Sequence, residues 1–227
     1  MKLPDGKDLE KFDRDFLARH FSIDRIGRTN AKFDRAKLLS FNGDYLQQLT
    51  DDQFTARFLD WCRQHQPATA TRLSELFPAG PTPLIRMAKP RAKTLRDVVK
   101  VIEFALTPDD QLAYDPGAVQ KSLRANNDEG LGILRRFAPI LESLEPFTPD
   151  ALHAAMESFA ARELPPDPAG KSNLGKLAQP LRVAITGSGV SPPVHESLAS
   201  LGRTRSLNRV RRCLDANSGD KSRILLA

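Results

Sequence analysis

Apolar residues in this chain recur at helical spacing nearly from end to end, and no segment sustains the apolar/polar alternation of a half-buried strand. Leu9, Phe12, Phe16 and Leu17 share one helix face, as do Phe54, Phe58, Leu59 and Cys62. Side chains three or four apart lie on one side of a 3.6-residue turn, so each set is a stripe to be buried against a neighbouring helix. Start signals precede the stripes. Asp34 comes before the segment 36–41, Thr50-Asp51-Asp52 before 53–61, and Thr148 before Pro149, a residue suited to the first helical position. The expected fold class is all-α.

Breakers divide the string. Asn42-Gly43 reads as a turn between two helical stretches, Phe77-Pro78-Ala79-Gly80-Pro81 ends another, and the proline-rich segment 163–170 is a connection no helix crosses. Helical pattern returns over 173–186 and 192–216, separated by the small-residue turn Thr186-Gly187-Ser188-Gly189-Val190-Ser191-Pro192-Pro193. With 227 residues, 40% of them hydrophobic, the chain can bury a real core. No run approaches the roughly 20 apolar residues of a bilayer span, so no membrane partner is expected. An N-terminus without an apolar core segment and two lone cysteines, Cys62 and Cys213, point to a reducing, cytoplasmic setting.

Chemistry-bearing patterns are sparse. His20, His65, His153 and His195 lie far apart, with neither H-x-x-x-H nor C-x-x-C spacing, so no metal site is expected. No serine or cysteine pairs with a histidine as a nucleophile, and Asp51-Asp52 and Asp109-Asp110 sit at apparent helix starts, where capping accounts for them. No catalytic residue is expected. Gly187-Ser188-Gly189 lacks the lysine and the preceding strand of a phosphate loop, which leaves a tight helix-to-helix turn or backbone donors for RNA acceptors. Lys and Arg exceed Asp and Glu by 34 to 28, and part of the excess is clustered: Arg86, Lys89, Arg91, Lys93 and Arg96, then Arg203, Arg205, Arg209, Arg211 and Arg212. Such clusters are either solvated helix faces or contacts to a polyanion. Trp61, Tyr45 and the phenylalanines at helical spacing read as core.

Longer motifs narrow the choice. Phe33-Asp34-x-x-Lys37-Leu38-x-x-x-Asn42-Gly43-x-Tyr45-Leu46, then Arg91 ahead of Thr94-Leu95, then the run from Leu177 to Gly187 with Gln179-Pro180-Leu181-Arg182, Ser191-Pro192-Pro193 and Leu201-Gly202-Arg203 resemble, in order and spacing, the C-terminal half of bacterial glutamyl-tRNA synthetase over about residues 20–216. The resemblance implies an all-helical cage: a stem-contact segment over residues 1–50 and two anticodon-binding units over 51–108 and 109–227. It implies tRNA(Glu) and the synthetase's catalytic domain as partners of a monomeric module. Met1 to Lys7 is similar to the junction after that domain, whose H-x-G-H-like and K-M-S-K-S-like motifs are missing here. Ligase activity, ATP and Mg would therefore belong to the catalytic half, with no cofactor in this chain and no activation of glutamate by it alone. The tail 217–227 is assigned no role.

Residue by residue, Arg91 matches the arginine that reads the third anticodon base. As a donor-only group it suits the O2 and N3 acceptors of an unpaired cytosine, while the same edge of guanine carries N–H donors. Gln179, Arg182, Thr186, Ser191 and Pro192 match positions near the anticodon loop, with Ser191 where threonine is familiar. Lys89, Lys93, Arg203, Arg205 and Arg209 are candidates for the RNA backbone. The rival reading is a helical protein-interaction scaffold without RNA specificity.

Overall fold

The computed structural model describes residues 11–25, 32–166, 170 and 172–217, and among these every regular element is helical. The elements are α1 (Arg14–His20), α2 (Arg35–Gln48), α3 (Asp51–His65), α4 (Pro67–Leu76), α5 (Thr82–Ala88), α6 (Leu95–Leu106), α7 (Pro116–Val119), α8 (Ala125–Ser143), α9 (Pro149–Glu163), α10 (Leu174–Thr186) and α11 (Val194–Asn217). Leu9 and the tail 218–227 lie outside the described residues.

The sequence caps act where they were expected. Asp34 Oδ1 accepts the Lys37 N–H at 3.0 Å, Thr50 and Gln53 form a reciprocal capping box, and Thr148 Oγ1 accepts the Ala151 N–H at 3.3 Å with Pro149 opening α9. Each supplies a partner for backbone donors that the first helical turn leaves unpaired. Asn42-Gly43 differs from its reading as a turn, because α2 runs through it without a break. A Cβ on Gly43 would stand 3.5 Å from Lys93 Cγ and 3.6 Å from Lys93 Cα. Asn42 donates its side-chain amide to the Lys93 carbonyl, so the pair docks a segment 50 residues away rather than turning the chain.

The core is one continuous cluster. Phe54, Phe58 and Cys62 of α3 meet Leu84 and Ile85 of α5 and Val98 and Ile102 of α6, and the cluster continues through Leu131, Leu134 and Phe137 of α8 into Leu181 and Ile185 of α10 and Val210 and Cys213 of α11. Helix α11 packs on α5, α6, α8, α9 and α10, which ties the two halves of the described chain together.

That role of α11 turns part of its basic cluster toward the interior. Arg205, Arg209 and Arg212 fall one above another on a single face, and that face looks inward. Arg209 is 0% exposed: Nε donates to Asp109 Oδ1 at 2.7 Å, Nη1 to the Ile185 carbonyl at 2.6 Å and Nη2 to the Thr107 carbonyl at 2.7 Å. Arg205 reaches Asp109 Oδ1, the Ala105 carbonyl and the Thr107 carbonyl, and Arg212 takes the carbonyls of Leu112 and Asp110. The segment after α6 has few backbone partners of its own, and these guanidiniums satisfy its carbonyls. Arg209, and with it Arg205, is thus withdrawn from the backbone-contact set, and Asp109 is an ion-pair partner rather than a capping residue.

Candidate nucleic-acid interface

Two turns build the site. The first is the 3-10 turn Lys89–Arg91, which precedes α6 and leaves Arg91 exposed. Helix α6 is then started by a capping box in which Thr94 Oγ1 accepts the Asp97 N–H at 3.3 Å and Asp97 Oδ2 accepts the Thr94 N–H at 2.8 Å. Burial pushes the Asp97 carboxyl up, but the donors from Thr94 and Lys93 outweigh it and hold the group below its ordinary range.

The second turn follows α10. Gly187 terminates that helix at φ 74°, and its carbonyl accepts the Asp115 N–H at 2.7 Å. A Cβ there would stand 1.9 Å from the Ala113 carbonyl oxygen, so only glycine allows the two segments to lie this close. Thr186 donates to the Arg182 carbonyl at 2.8 Å and accepts the Ser188 N–H at 3.3 Å. Ser191 Oγ accepts from Arg182 Nε at 3.0 Å and donates to the Pro192 carbonyl at 2.8 Å. Both hydroxyl protons are thus used within the turn, which they shape, and a bound base would meet only a remaining acceptor lone pair.

Between the turns runs a groove of about 650 Å³ lined by Arg91, by Lys100, Glu103 and Phe104 of α6, by Thr107, Gln111 and Leu112 of the segment that follows, and by Thr186, Ser188, Val190, Ser191 and Pro192 of the second turn. Arg91, Thr186, Ser191 and Pro192, four of the residues singled out in the sequence, meet here. Arg182 adjoins them through Ser191. Its guanidinium pKa is lowered, by burial first and then by the nearby Arg91 charge. Neither arginine has a carboxylate partner among the described residues, so the groove holds unneutralised positive charge that an anionic ligand would relieve.

Gln179 lies apart from this group. It lines a neighbouring cavity of about 770 Å³ with Lys121, Asn126, Glu129 and Lys176, and the two spaces share Ser188 and Val190 as a dividing ridge. Val190 is 83% exposed at its crest. This second cavity is also lined by Asn126, the first of three successive left-handed residues, and by Gly130, where a Cβ would meet the Ser122 carbonyl oxygen at 2.0 Å. Glu129 accepts from Lys176 Nζ at 2.8 Å, and that bond, with one from Asn126, lowers its pKa.

Of the remaining cations, Lys93 is exposed. Lys89 is turned inward, its Nζ donating to the Leu49 carbonyl at 2.5 Å and to Asp51 Oδ1 at 3.2 Å, so it ties α2 to the Arg91 turn. Arg203 pairs with Glu145 at 2.6 Å and lies over the Phe147 ring. Sequence reasoning missed Lys100, Glu103 and Gln111, which on their own are ordinary surface residues next to Val101 and Leu112; only the approach of Gly187 to the segment after α6 makes them part of a groove.

Comparison with known proteins identifies relatives along most of the chain. Glutamate–tRNA ligase 2 of Rhodospirillum rubrum is 35% identical over 208 residues, covering 90% of this chain and 40% of the relative. The glutamate–tRNA ligase of Rhodopseudomonas palustris is 37% identical over 205 residues, covering 89% and 41%. The chain therefore spans about two fifths of the length of the curated relatives it matches. In fold it is similar to the crystal structure of a glutamate tRNA ligase from Elizabethkingia meningosepticum, with a TM-score of 0.71 and 18% identity over 94% of this chain and 38% of that one. The family profile described as "Anticodon binding domain" matches residues 45–214, a span that begins in α2, contains both turns and the groove, and ends in α11, and the chain belongs to that family.

Proposed function

We propose that this chain binds the anticodon loop of tRNA(Glu) and that the third anticodon base enters the groove beside Arg91. The observation that carries the reading is the convergence of Arg91 with Arg182, Thr186, Ser191 and Pro192, about a hundred residues later, on one cationic groove. Unpaired bases splayed from a loop present their Watson–Crick edges, and an unpaired guanidinium supplies donors to acceptors on such an edge. Gln179 and the neighbouring cavity would take another loop base, with the Ser188–Val190 ridge between the two. Lys93 and Arg203 serve as backbone contacts, Lys93 being the more open of the two.

In this reading residues 1–50 contact the stem, and 51–108 and 109–227 form the two anticodon-binding units. The partner is the catalytic domain of a glutamate–tRNA ligase, where ATP and Mg would act. The test is binding of anticodon stem-loops that differ only at the third anticodon base. Arg91→Ala should lose about 1 to 3 kcal/mol and narrow the preference for cytosine over guanine. Arg91→Lys should keep the salt dependence but lose most of that preference, since an ammonium lacks the planar fork. Equal binding of cytosine and guanine stem-loops by the unmutated chain refutes the role of Arg91.

A further inference from the structure

The groove carries one group that does not suit a polyanion. Lys100, Glu103 and Phe104 share a face of α6, Thr107 caps the end of that helix, and all four line the groove that holds Arg91. Glu103 is exposed, and among the described residues no ion pair or side-chain hydrogen bond engages its carboxylate, although Lys100 lies one turn before it. Its backbone carbonyl accepts the Thr107 hydroxyl at 2.9 Å, which concerns the helix end and leaves the carboxylate free. A free carboxylate in a groove for RNA repels phosphate and is useful only where the ligand brings a donor to it.

We infer that Glu103 is a specificity-determining residue of this groove, whose carboxylate accepts the exocyclic amine of the cytosine read by Arg91 and so rejects uracil. The inference rests on the anticodon reading above. Cytosine presents two acceptors, O2 and N3, followed by one donor, the N4 amine. An arginine and a carboxylate lining the same groove match that order with donor, donor and acceptor. Uracil presents O2, N3–H and O4, so Arg91 loses its second acceptor and Glu103 faces an oxygen. Guanine in the same place turns two N–H donors toward Arg91 and O6 toward Glu103, and fails at every position. Arg91 is sufficient against guanine, whereas strong rejection of uracil calls for the carboxylate. Gln111 cannot substitute, because an amide both donates and accepts.

The experiment measures binding of three anticodon stem-loops with cytosine, uracil or guanine as third base to the unmutated chain, Glu103→Gln and Glu103→Ala, with circular dichroism as the fold control. Because the side chain is exposed, both variants are expected to fold. The unmutated chain should prefer cytosine to uracil, and Glu103→Gln, whose amide can donate to O4, should reduce that preference about tenfold while the preference over guanine persists through Arg91. Glu103→Ala should reduce the same preference by weakening cytosine binding. An unchanged cytosine-to-uracil ratio in both variants overturns the inference and leaves the anticodon reading standing. Equal tightening of all three stem-loops by Glu103→Ala also overturns it, since Glu103 would then be only a repulsive rim charge. No salt-sensitive binding of any stem-loop by the unmutated chain overturns both.

Discussion

Replacing Arg209 by alanine separates a structural arginine from an RNA contact. The side chain is 0% exposed and makes three charge-assisted bonds of 2.6 to 2.7 Å. Removing one partner of a buried charge pair costs about 3 to 5 kcal/mol. Here Arg205 also holds Asp109 at 3.1 Å and the Thr107 carbonyl at 2.9 Å, so the Ile185 carbonyl alone loses its side-chain donor. The expected cost is therefore near the lower end, about 3 kcal/mol, to which the vacated volume adds. At about 2 to 4 °C per kcal/mol for a chain of this size, Tm should fall by roughly 10 °C. Arg205→Ala, at a partly exposed side chain, leaves only the Ala105 carbonyl without its side-chain donor, because Arg209 retains Asp109 and the Thr107 carbonyl, and should cost about 1 kcal/mol. The double variant should lose more than the sum, because Asp109 is then left without a cation. Thermal denaturation followed by circular dichroism measures all three, and below its transition Arg209→Ala should bind RNA with an unaltered salt slope. A Tm within about 2 °C of the unmutated chain, or strict additivity of the two single changes, refutes the reasoning.

Gly187→Ala forces a Cβ to 1.9 Å from the Ala113 carbonyl at a φ of 74°, and denaturant titration should show a loss of more than about 3 kcal/mol as the groove's second turn separates from its floor. Thr94→Ala removes the hydroxyl half of the α6 capping box, and the same titration should read a loss of about 1 kcal/mol. His195 has its pKa lowered, by burial first and then by His153, whose ring centroid is 4.8 Å away, against the opposing pull of Glu196 and Asp150. The folded state then binds fewer protons than the unfolded one, so this contribution is complete above the ordinary value of 6.5 and is lost as pH falls below it. Tm should decline as pH falls below 6.5 and decline less in His195→Gln, above the range in which Asp97 and Glu129 protonate.

The helices follow from local pattern. Periodicity and caps act within a turn or two, so Asp34, Thr50 and Thr148 could be placed from their neighbours alone, and the stripe Phe54, Phe58 and Cys62 was core wherever it docked. Motif spacing likewise singled out Arg91 and the residues of the 186–192 turn before any contact was visible, because each stands in a short ordered signature. What a helix face meets is a different matter, since it depends on residues far away in the chain. The period placed Arg205, Arg209 and Arg212 on one side of α11, yet only the packing of that side on the carbonyls of 105–112, about a hundred residues earlier, turned a basic cluster into a buried clamp. Asn42-Gly43 carries a short-range turn signal that the approach of Lys93 overrides. Glu103 carries no local signal, and it joins Arg91 in one groove only because the left-handed Gly187 brings the end of α10 against the segment that leaves α6.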